Sequence, residues 1–277
     1  MRYKLTVLIS LAVGLLLSVL PLVAGAWELV TLEGRPGVST KMIVEIPEKP
    51  PATVLMLSGG FGTLELGTSL GKPFVGSRGY EQVFNVRTRD DFAKRGLAVG
   101  VIDAPSDLPK GMTPLFRLSE KHRLDVDTAI NHLKQKVGAP VWLIGTSMGT
   151  ISVASVALDN PLIAGIVLTS SITRMNQKFP AVYRSHPRAI VSLPLEKVKV
   201  PVFVAAHKDD GCEYSPAADT VELAARFSAA RKVQTQIFDG GLPPRTGPCE
   251  PLAPHGFFGI EDKVIDAIVT FIKEYSK

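Results

Sequence analysis

Residues 140–158 read PVWLIGTSMGTISVASVAL, an apolar run, a turn, and a second run of small and apolar residues. The first run has the length and composition of a buried strand, and the second is typical of a buried helix. Between them, Gly145-Thr146-Ser147-Met148-Gly149 matches the pattern G-x-S-x-G. The order strand, turn, helix predicts that Ser147 stands on a sharp turn with its hydroxyl above the sheet, where flanking glycines let chains pass closely.

Similar apolar runs recur along the chain. Each is short, ends at Gly, Pro or Asp, and is apolar throughout, which is typical of strands covered on both faces. They are ATVLMLSGG (52–60), LAVGVIDAP (97–105), IAGIVLTSS (163–171), PVFVAAHKDD (201–210) and VQTQIFDGG (233–241). We expect a further strand pair at 27–48.

Helical patterns lie between these runs. They cover residues 89–96, 118–137, 215–232 and 259–275. In the second helix we expect Leu124, Ala129, Ile130 and Leu133 on the core face. In the third, Ser215 is expected to be the N-cap, with proline at the first helical position. In the fourth, the expected core face is Val264, Ile265, Ile268, Val269 and Ile272.

The alternation of strands and helices predicts an α/β fold. We expect one domain, residues 27–277, with a mostly parallel central sheet and helices on both faces. Residues 172–199 are too few for a separate cap domain and are expected to form a small cover at most. Phe179, Tyr183 and Phe257 either line a pocket there or belong to the core.

The composition excludes two classes of protein. Of the 277 residues, 45% are hydrophobic and 21% are charged, which is typical of a globular chain and not of a disordered one. The net charge is +5, of which Arg2 and Lys4 supply two. No block of basic residues could track a phosphate backbone, so a dedicated nucleic-acid-binding protein is excluded.

The first 26 residues have the pattern of a signal peptide. Arg2 and Lys4 precede an uncharged apolar run, residues 5–23, and Ala24-Gly25-Ala26 follows. We expect cleavage before Trp27 and a periplasmic or secreted protein with no stable membrane insertion afterwards. The alternative is an uncleaved N-terminal membrane anchor, because the apolar run is long for a signal peptide.

The chain has two cysteines, Cys212 and Cys249. In an oxidising compartment they are expected to form a disulfide, and the alternative is two buried thiols. Neither has the CxxC spacing of a redox or zinc site.

A serine hydroxyl needs a base, and the base needs an orienting carboxylate. In strand–turn–helix proteins of this kind the order is serine, acid, histidine. Asp210 and Asp209 end a predicted strand at the same sheet edge as Ser147, and Asp210 is the preferred acid. His255 follows the last predicted strand and is the expected base.

The other histidines fit the order less well. His122 and His132 lie in the long helix and are expected at the surface. His186 precedes the acid, and His207 is expected to order the loop beside it. A disulfide between Cys212 and Cys249 would then tie the acid loop to the His255 loop.

Stabilising the negative oxygen of an acyl intermediate needs two backbone N–H groups. One is expected from Met148, the residue after the serine. The other is expected from Gly60 or Phe61, in the loop Ser58-Gly59-Gly60-Phe61-Gly62, and the sequence leaves both possible.

Taken together, SGGFG (58–62), GTSMG (145–149), DDGC (209–212) and HGF (255–257) resemble the α/β-hydrolase superfamily, in its order and at its strand ends. FRLSEKHRLDVDTAI (116–130), PVWLIGTSMGT (140–150) and PCE (248–250) further resemble a group of exported bacterial hydrolases of undefined substrate. Two departures are Ser58, where histidine is frequent, and the Gly-Cys that follows the acid.

The resemblance implies a serine hydrolase. The expected reaction is hydrolysis of a carboxylic ester or related acyl bond of a small molecule, without a metal or organic cofactor. The alternatives are an amidase or peptidase with the same triad, and a non-catalytic binding protein on the same fold.

Overall fold

The computed structural model describes residues 27–276, so the predicted signal peptide at 1–26 lies outside the described residues. Ten strands are found in this part of the chain. They are β1 (Glu28–Arg35), β2 (Val38–Glu45), β3 (Thr53–Leu57), β4 (Leu66–Ser69), β5 (Lys72–Val75), β6 (Ala98–Ile102), β7 (Val141–Thr146), β8 (Gly165–Thr169), β9 (Val202–His207) and β10 (Val233–Phe238).

Eight of the strands form one sheet, in the order β1-β2-β6-β3-β7-β8-β9-β10. The pairs β1–β2 and β2–β6 are antiparallel, and the remaining pairs are parallel. The strands β4 and β5 form a separate hairpin. The mostly parallel sheet is the predicted one, and it brings the carboxyl ends of β3, β7, β8 and β9 to the same edge.

Eight α-helices connect the strands. They are α1 (Phe84–Arg87), α2 (Arg89–Lys94), α3 (Pro114–Arg117), α4 (Glu120–Val137), α5 (Gly149–Val156), α6 (Pro180–Ser185), α7 (Thr220–Arg226) and α8 (Glu261–Tyr275). Short 3₁₀ helices lie at Tyr80–Gln82, Ala189–Ser192, Leu195–Lys197, Ala217–Asp219 and Pro254–Gly256. Among the described residues, none of the helices has both the length and the apolar character that crossing a membrane requires.

The sheet has a hydrophobic core on each face, as expected from its continuous apolar strands. Leu55 and Leu57 of β3 face a core shared with α4, α5 and α7. Val54 and Met56 of the same strand face the opposite core, which is shared with α1, α2 and α8. The predicted core face of α8 is buried as expected. This two-sided packing holds the carboxyl ends of the parallel strands at one rim.

Two predictions about α4 are wrong. Leu124 is 46% exposed, and His122, expected at the surface, is buried. The core face is formed by His122, Val126, Ala129, Ile130 and Leu133, whose spacings of three and four residues follow one side of the helix. The charged neighbours of His122 made it resemble a surface residue, but its helical phase places it inside.

The prediction for α7 is wrong at both ends, because the helix covers Thr220–Arg226 and not residues 215–232. Ser215 is not an N-cap, because the helix begins at Thr220 and Asp219 precedes it. Instead, the Ser215 hydroxyl donates a hydrogen bond to Oδ2 of Asp210 at 2.9 Å. Pro216 is in an extended conformation and leads into a single 3₁₀ turn. The Ser215 hydroxyl, which the local sequence predicted to cap the helix, therefore binds Asp210.

Residues 172–199 contain α6 and two 3₁₀ turns and form no separate cap domain. Phe179 lines a cavity at Ser147. Tyr183 is 39% exposed, and Phe257 is fully buried in the core. Of the three aromatic residues that the sequence left open, only Phe179 lies at this cavity.

Candidate active site

Ser147 stands on a strained turn between β7 and α5. Its φ of 54° lies in the left-handed region that non-glycine residues rarely adopt. A Cβ on Gly145 would lie 2.5 Å from the carbonyl oxygen of Gly149, and a Cβ on Gly149 would lie 2.1 Å from that of Leu57. Both glycines are therefore required by close backbone approach, for the steric reason that the motif predicted.

Asp210 and His255 are hydrogen bonded at the same edge of the sheet. Asp210 follows β9, and His255 lies in the last 3₁₀ turn before α8. Nδ1 of His255 lies 2.9 Å from Oδ2 of Asp210, and both side chains are buried. Since a carboxylate accepts, Nδ1 carries the proton and Nε2 of the neutral imidazole is an acceptor. Asp209 is exposed, and its backbone N–H donates to Nδ1 of His207.

Ser147 and His255 line the same cavity, of about 400 Å³. No hydrogen bond joins the Ser147 hydroxyl to the imidazole, and Nε2 of His255 is buried without a hydrogen-bond partner among the described residues. Hydrogen bonds between such groups are often long in the absence of substrate and shorten when substrate binds. A buried nitrogen without a hydrogen-bond partner is unusual in a folded protein. It indicates that Nε2 of His255 is left free for a function.

Two further groups hold the Asp210 carboxylate, and the sequence predicted neither contact. The backbone N–H of Cys212 donates to Oδ1 at 3.0 Å. The Ser215 hydroxyl, which donates to Oδ2, also lies 3.0 Å from Nδ1 of His255. Ser215 is buried and five residues beyond Asp210, so it belongs to the same loop. With these partners, both carboxylate oxygens are hydrogen bonded and their orientation is fixed.

The backbone N–H groups of Met148 and Gly60 donate no hydrogen bond to any described residue. Both residues lie beside Ser147, and a Cβ on the adjacent Gly59 would lie 3.2 Å from Cβ of Ser147. The N–H of Phe61, by contrast, donates to the hydroxyl of Tyr80 at 2.9 Å. Of the two candidates in this loop, Gly60 therefore has the free donor.

A second, smaller cavity is also lined by Ser147, but His255 is not among its lining residues. Its volume is about 180 Å³. Its walls are mostly apolar and aromatic, and include Met148, Ile172, Phe179 and Tyr214. Ser147 thus lines two cavities, and of these two only the larger is also lined by His255.

Comparison with known proteins gives a family match to part of the chain and a fold for nearly all of it. The family model described as serine aminopeptidase, S33, matches residues 90–211, which include Ser147 and Asp210. An esterase of Pyrococcus furiosus has a TM-score of 0.64 at 14% identity, covering 91% of this chain and 92% of that one. The chain has the α/β-hydrolase fold.

Two other structures support this fold. A cold-adapted esterase from an Arctic intertidal metagenomic library has a TM-score of 0.55 at 16% identity, covering 90% of this chain and 93% of that one. A CIB-like hydrolase of Thermoplasma acidophilum has a TM-score of 0.53 at 15% identity, covering 90% and 99%. No curated protein sequence matches the chain. At these identities the likeness concerns the fold and leaves the substrate of this α/β-hydrolase-fold protein open.

A disulfide joins Cys212 to Cys249, as the sequence predicted. Cys212 follows Asp210 by two residues, and Cys249 lies in the loop that leads to His255. Both cysteines line the smaller cavity, and Cys249 also lines the larger one. The disulfide therefore connects the acid loop to the histidine loop at the wall of the site.

The remaining histidines lie outside the pair formed by Asp210 and His255. The ring of His207 connects the acid loop with the segment after β10. Its Nδ1 accepts a hydrogen bond from the backbone N–H of Asp209, and its Nε2 lies 2.9 Å from the Gly240 carbonyl oxygen. His186 is bonded to its neighbour Ser185. Among the described residues, no cluster of three or more histidine, cysteine or acidic side chains could hold a metal ion.

Proposed function

We propose that the protein is a serine hydrolase that cleaves a carboxylic ester or a related acyl bond. The observation that carries this proposal is the hydrogen bond between Asp210 and His255, which leaves Nε2 of His255 as a free acceptor at the cavity that Ser147 lines. The esterases among the similar structures and the S33 family model support a hydrolase of the esterase or peptidase type.

In this mechanism Nε2 of His255 takes the proton of the Ser147 hydroxyl as its oxygen attacks the acyl carbonyl. Asp210 holds the imidazole in the required tautomer and stabilises the imidazolium. The N–H groups of Met148 and Gly60 stabilise the negative oxygen, beside the positive N-terminal end of α5. His255 then gives its proton to the leaving group, and water, activated by the same imidazole, hydrolyses the acyl-enzyme.

The two cavities suggest where the substrate's two halves bind. Because His255 must reach the leaving group, we assign the larger cavity to the leaving group and the smaller one to the acyl group. A cavity of roughly 150 Å³ holds a benzene ring, so a cavity of about 180 Å³ suits a benzoyl group or an acyl chain of up to about six carbons. The proposed substrates are therefore esters of short or aromatic acids.

A peptidase is the second candidate, because the matching family is described as a serine aminopeptidase. An aminopeptidase must bind the charged amine of the residue that becomes the acyl group. Among the described residues, no acidic side chain lines the smaller cavity. A buried ammonium without a carboxylate is costly, so the lining favours a neutral acyl group and an ester.

Labelling with a fluorophosphonate probe tests the nucleophile. We expect wild-type protein to be labelled and Ser147→Ala to be unlabelled. Ser155→Ala, on the adjacent helix α5, is the matched control and should be labelled like wild type. Labelling that survives Ser147→Ala would contradict the assignment, and an unlabelled wild type would favour a non-catalytic binding protein.

A substrate panel then addresses the bond. Aryl esters of acetate through hexanoate and of benzoate should be cleaved faster than the long-chain ester and faster than the matching anilides. Faster cleavage of aminoacyl anilides than of these esters would favour the peptidase.

We also propose that the protein acts in the periplasm or is secreted. The disulfide supports an oxidising compartment, and residues 1–26 have the pattern of a signal peptide. N-terminal sequencing of the exported protein should give Trp27 as its first residue. A chain that begins at Met1 in the membrane fraction would support the uncleaved anchor.

A further inference from the structure

One peptide group beside Ser147 is held at both ends. It is the peptide between Gly60 and Phe61, whose carbonyl oxygen accepts a hydrogen bond from Nη2 of Arg117 at 2.9 Å. Its N–H donates to the hydroxyl of Tyr80, also at 2.9 Å. A guanidinium, a peptide and a phenol therefore form one continuous chain of hydrogen bonds that runs toward the larger cavity.

Arg117 is an unusual cation. It is fully buried, and no carboxylate is paired with it among the described residues. Its donors reach the Ser152 hydroxyl at 2.7 Å and the carbonyl oxygens of Gly60 and Ser58. Burial lowers the pKa of Arg117 to about 10, so the guanidinium is still charged at neutral pH. Burying an unpaired charge is unfavourable, which points to a role beyond packing.

Tyr80 lies on the other side of the same peptide and lines the larger cavity together with Ser147 and His255. A Cβ on Gly60 would lie 2.3 Å from Cε1 of Tyr80, so the ring rests directly on that glycine. The phenol oxygen accepts from Phe61, which leaves its own proton to donate elsewhere. No described residue accepts that proton.

We propose that the Tyr80 hydroxyl is a third donor to the negative oxygen of the acyl intermediate, and that Arg117 is a positioning residue that acts through the Gly60–Phe61 peptide. The proposal rests on the proposed function, because it requires an acyl carbonyl attacked by Ser147. Tyr80 joins the N–H groups of Met148 and Gly60 and forms a hydrogen bond without transferring its proton.

The hydrogen-bond chain explains why a buried cation would help. A positively charged group that donates a hydrogen bond to the carbonyl oxygen of a peptide polarises the N–H of that peptide. The N–H in turn polarises the phenol to which it donates. The O–H of Tyr80 then becomes a stronger donor at the point where negative charge develops. Preorganised donors of this kind act on the transition state more than on the bound ester.

Tyr80→Phe tests the catalytic role. We expect kcat for the best ester to fall by about 100-fold, the loss typical of one such donor, with KM little changed. Affinity for a trifluoromethyl ketone, which forms an anionic adduct with the serine, should fall with it. Tyr183→Phe, an exposed tyrosine outside both cavities, is the matched control and should keep wild-type kinetics. An unchanged or higher kcat in Tyr80→Phe would overturn the proposal, the higher value meaning that the hydroxyl obstructs the site.

A double-mutant cycle tests the positioning role. Arg117→Lys weakens the hydrogen bond to the Gly60 carbonyl oxygen directly. Ser152→Ala removes the hydroxyl that helps to orient Arg117 and leaves the buried charge in place. Each should lower kcat in wild type and have a much smaller effect in the Tyr80→Phe background. Equal effects in both backgrounds would show that Arg117 supports only the fold. Failure of Ser147 labelling in wild type would overturn the proposed function together with this inference, whereas normal labelling with unchanged Tyr80→Phe kinetics would overturn the inference alone.

Discussion

At the scale of single residues, the hydroxyl of Ser215 supports Asp210 through a hydrogen bond to its Oδ2. We expect Ser215→Ala to lower kcat/KM by about tenfold, since a hydrogen bond to a charged group is worth about 1.5–3 kcal/mol and Cys212 still holds the other carboxylate oxygen. Ser215→Thr, which keeps the hydroxyl, should restore most of the activity. Steady-state ester hydrolysis measures both variants.

The control for this prediction is Ser171→Ala. Ser171 is also buried, but its hydroxyl has no hydrogen-bond partner among the described residues. Its removal should leave kcat/KM within a factor of about two. If Ser215→Ala is as active as this control, Ser215 plays no part in holding Asp210.

The sequence predicts some of these residues and not others, for a physical reason. Ser147, Asp210 and His255 follow from strand ends and chain order, because parallel strands bring their carboxyl ends to one edge. Ser215 and Tyr80 owe their places to contacts between distant loops, which no local pattern encodes. Only the folded chain brings their contact partners together.

At the scale of structural elements, the disulfide connects two loops that each carry one member of the Asp210–His255 pair. We expect the double variant Cys212→Ser, Cys249→Ser to lose activity well below its unfolding temperature, because the histidine loop can then move relative to the acid. The free energy of unfolding should fall by up to roughly 3–4 kcal/mol. Ester hydrolysis, far-UV circular dichroism and urea unfolding measure the three quantities.

Helix content shows whether a loss of activity comes from movement of the two loops or from unfolding of the protein. Helix content should match wild type, and activity should fall more than helix content does. Wild-type protein treated with a reductant should behave in the same way. A double variant with full activity would show that the disulfide serves stability alone.

Most elements that the sequence predicts have a continuous or periodic apolar pattern, and the short helix α2 is also predicted. Every strand of the main sheet and the helices α4 and α8 carry enough apolar residues to be read directly. The hairpin of β4 and β5, and the helices α1 and α3, have four residues each, which is too short for a periodic signal. The late start of α7 could not be read because Ser215 binds Asp210 instead.

At the scale of the whole molecule, the buried His122 links stability to pH. Burial, and then the charges of Arg117 and Arg35, lower its pKa from 6.5 to about 3. Neither ring nitrogen has a hydrogen-bond partner among the described residues, and the ring packs against Phe116. Between pH 6.5 and 3 the unfolded chain therefore binds a proton at this histidine that the folded protein does not, so the contribution of His122 to stability decreases as the pH falls.

We expect His122→Leu to remove this dependence. One proton corresponds to about 1.4 kcal/mol per pH unit, so the free energy of unfolding of wild type should fall more steeply than that of the variant by about this slope between pH 6 and pH 4. Urea unfolding at several pH values measures it. His132→Gln, on the same helix but partly exposed, should keep the wild-type slope. Equal slopes for wild type and His122→Leu would mean that His122 is protonated in the folded protein over this pH range. Water would then reach the ring despite its burial.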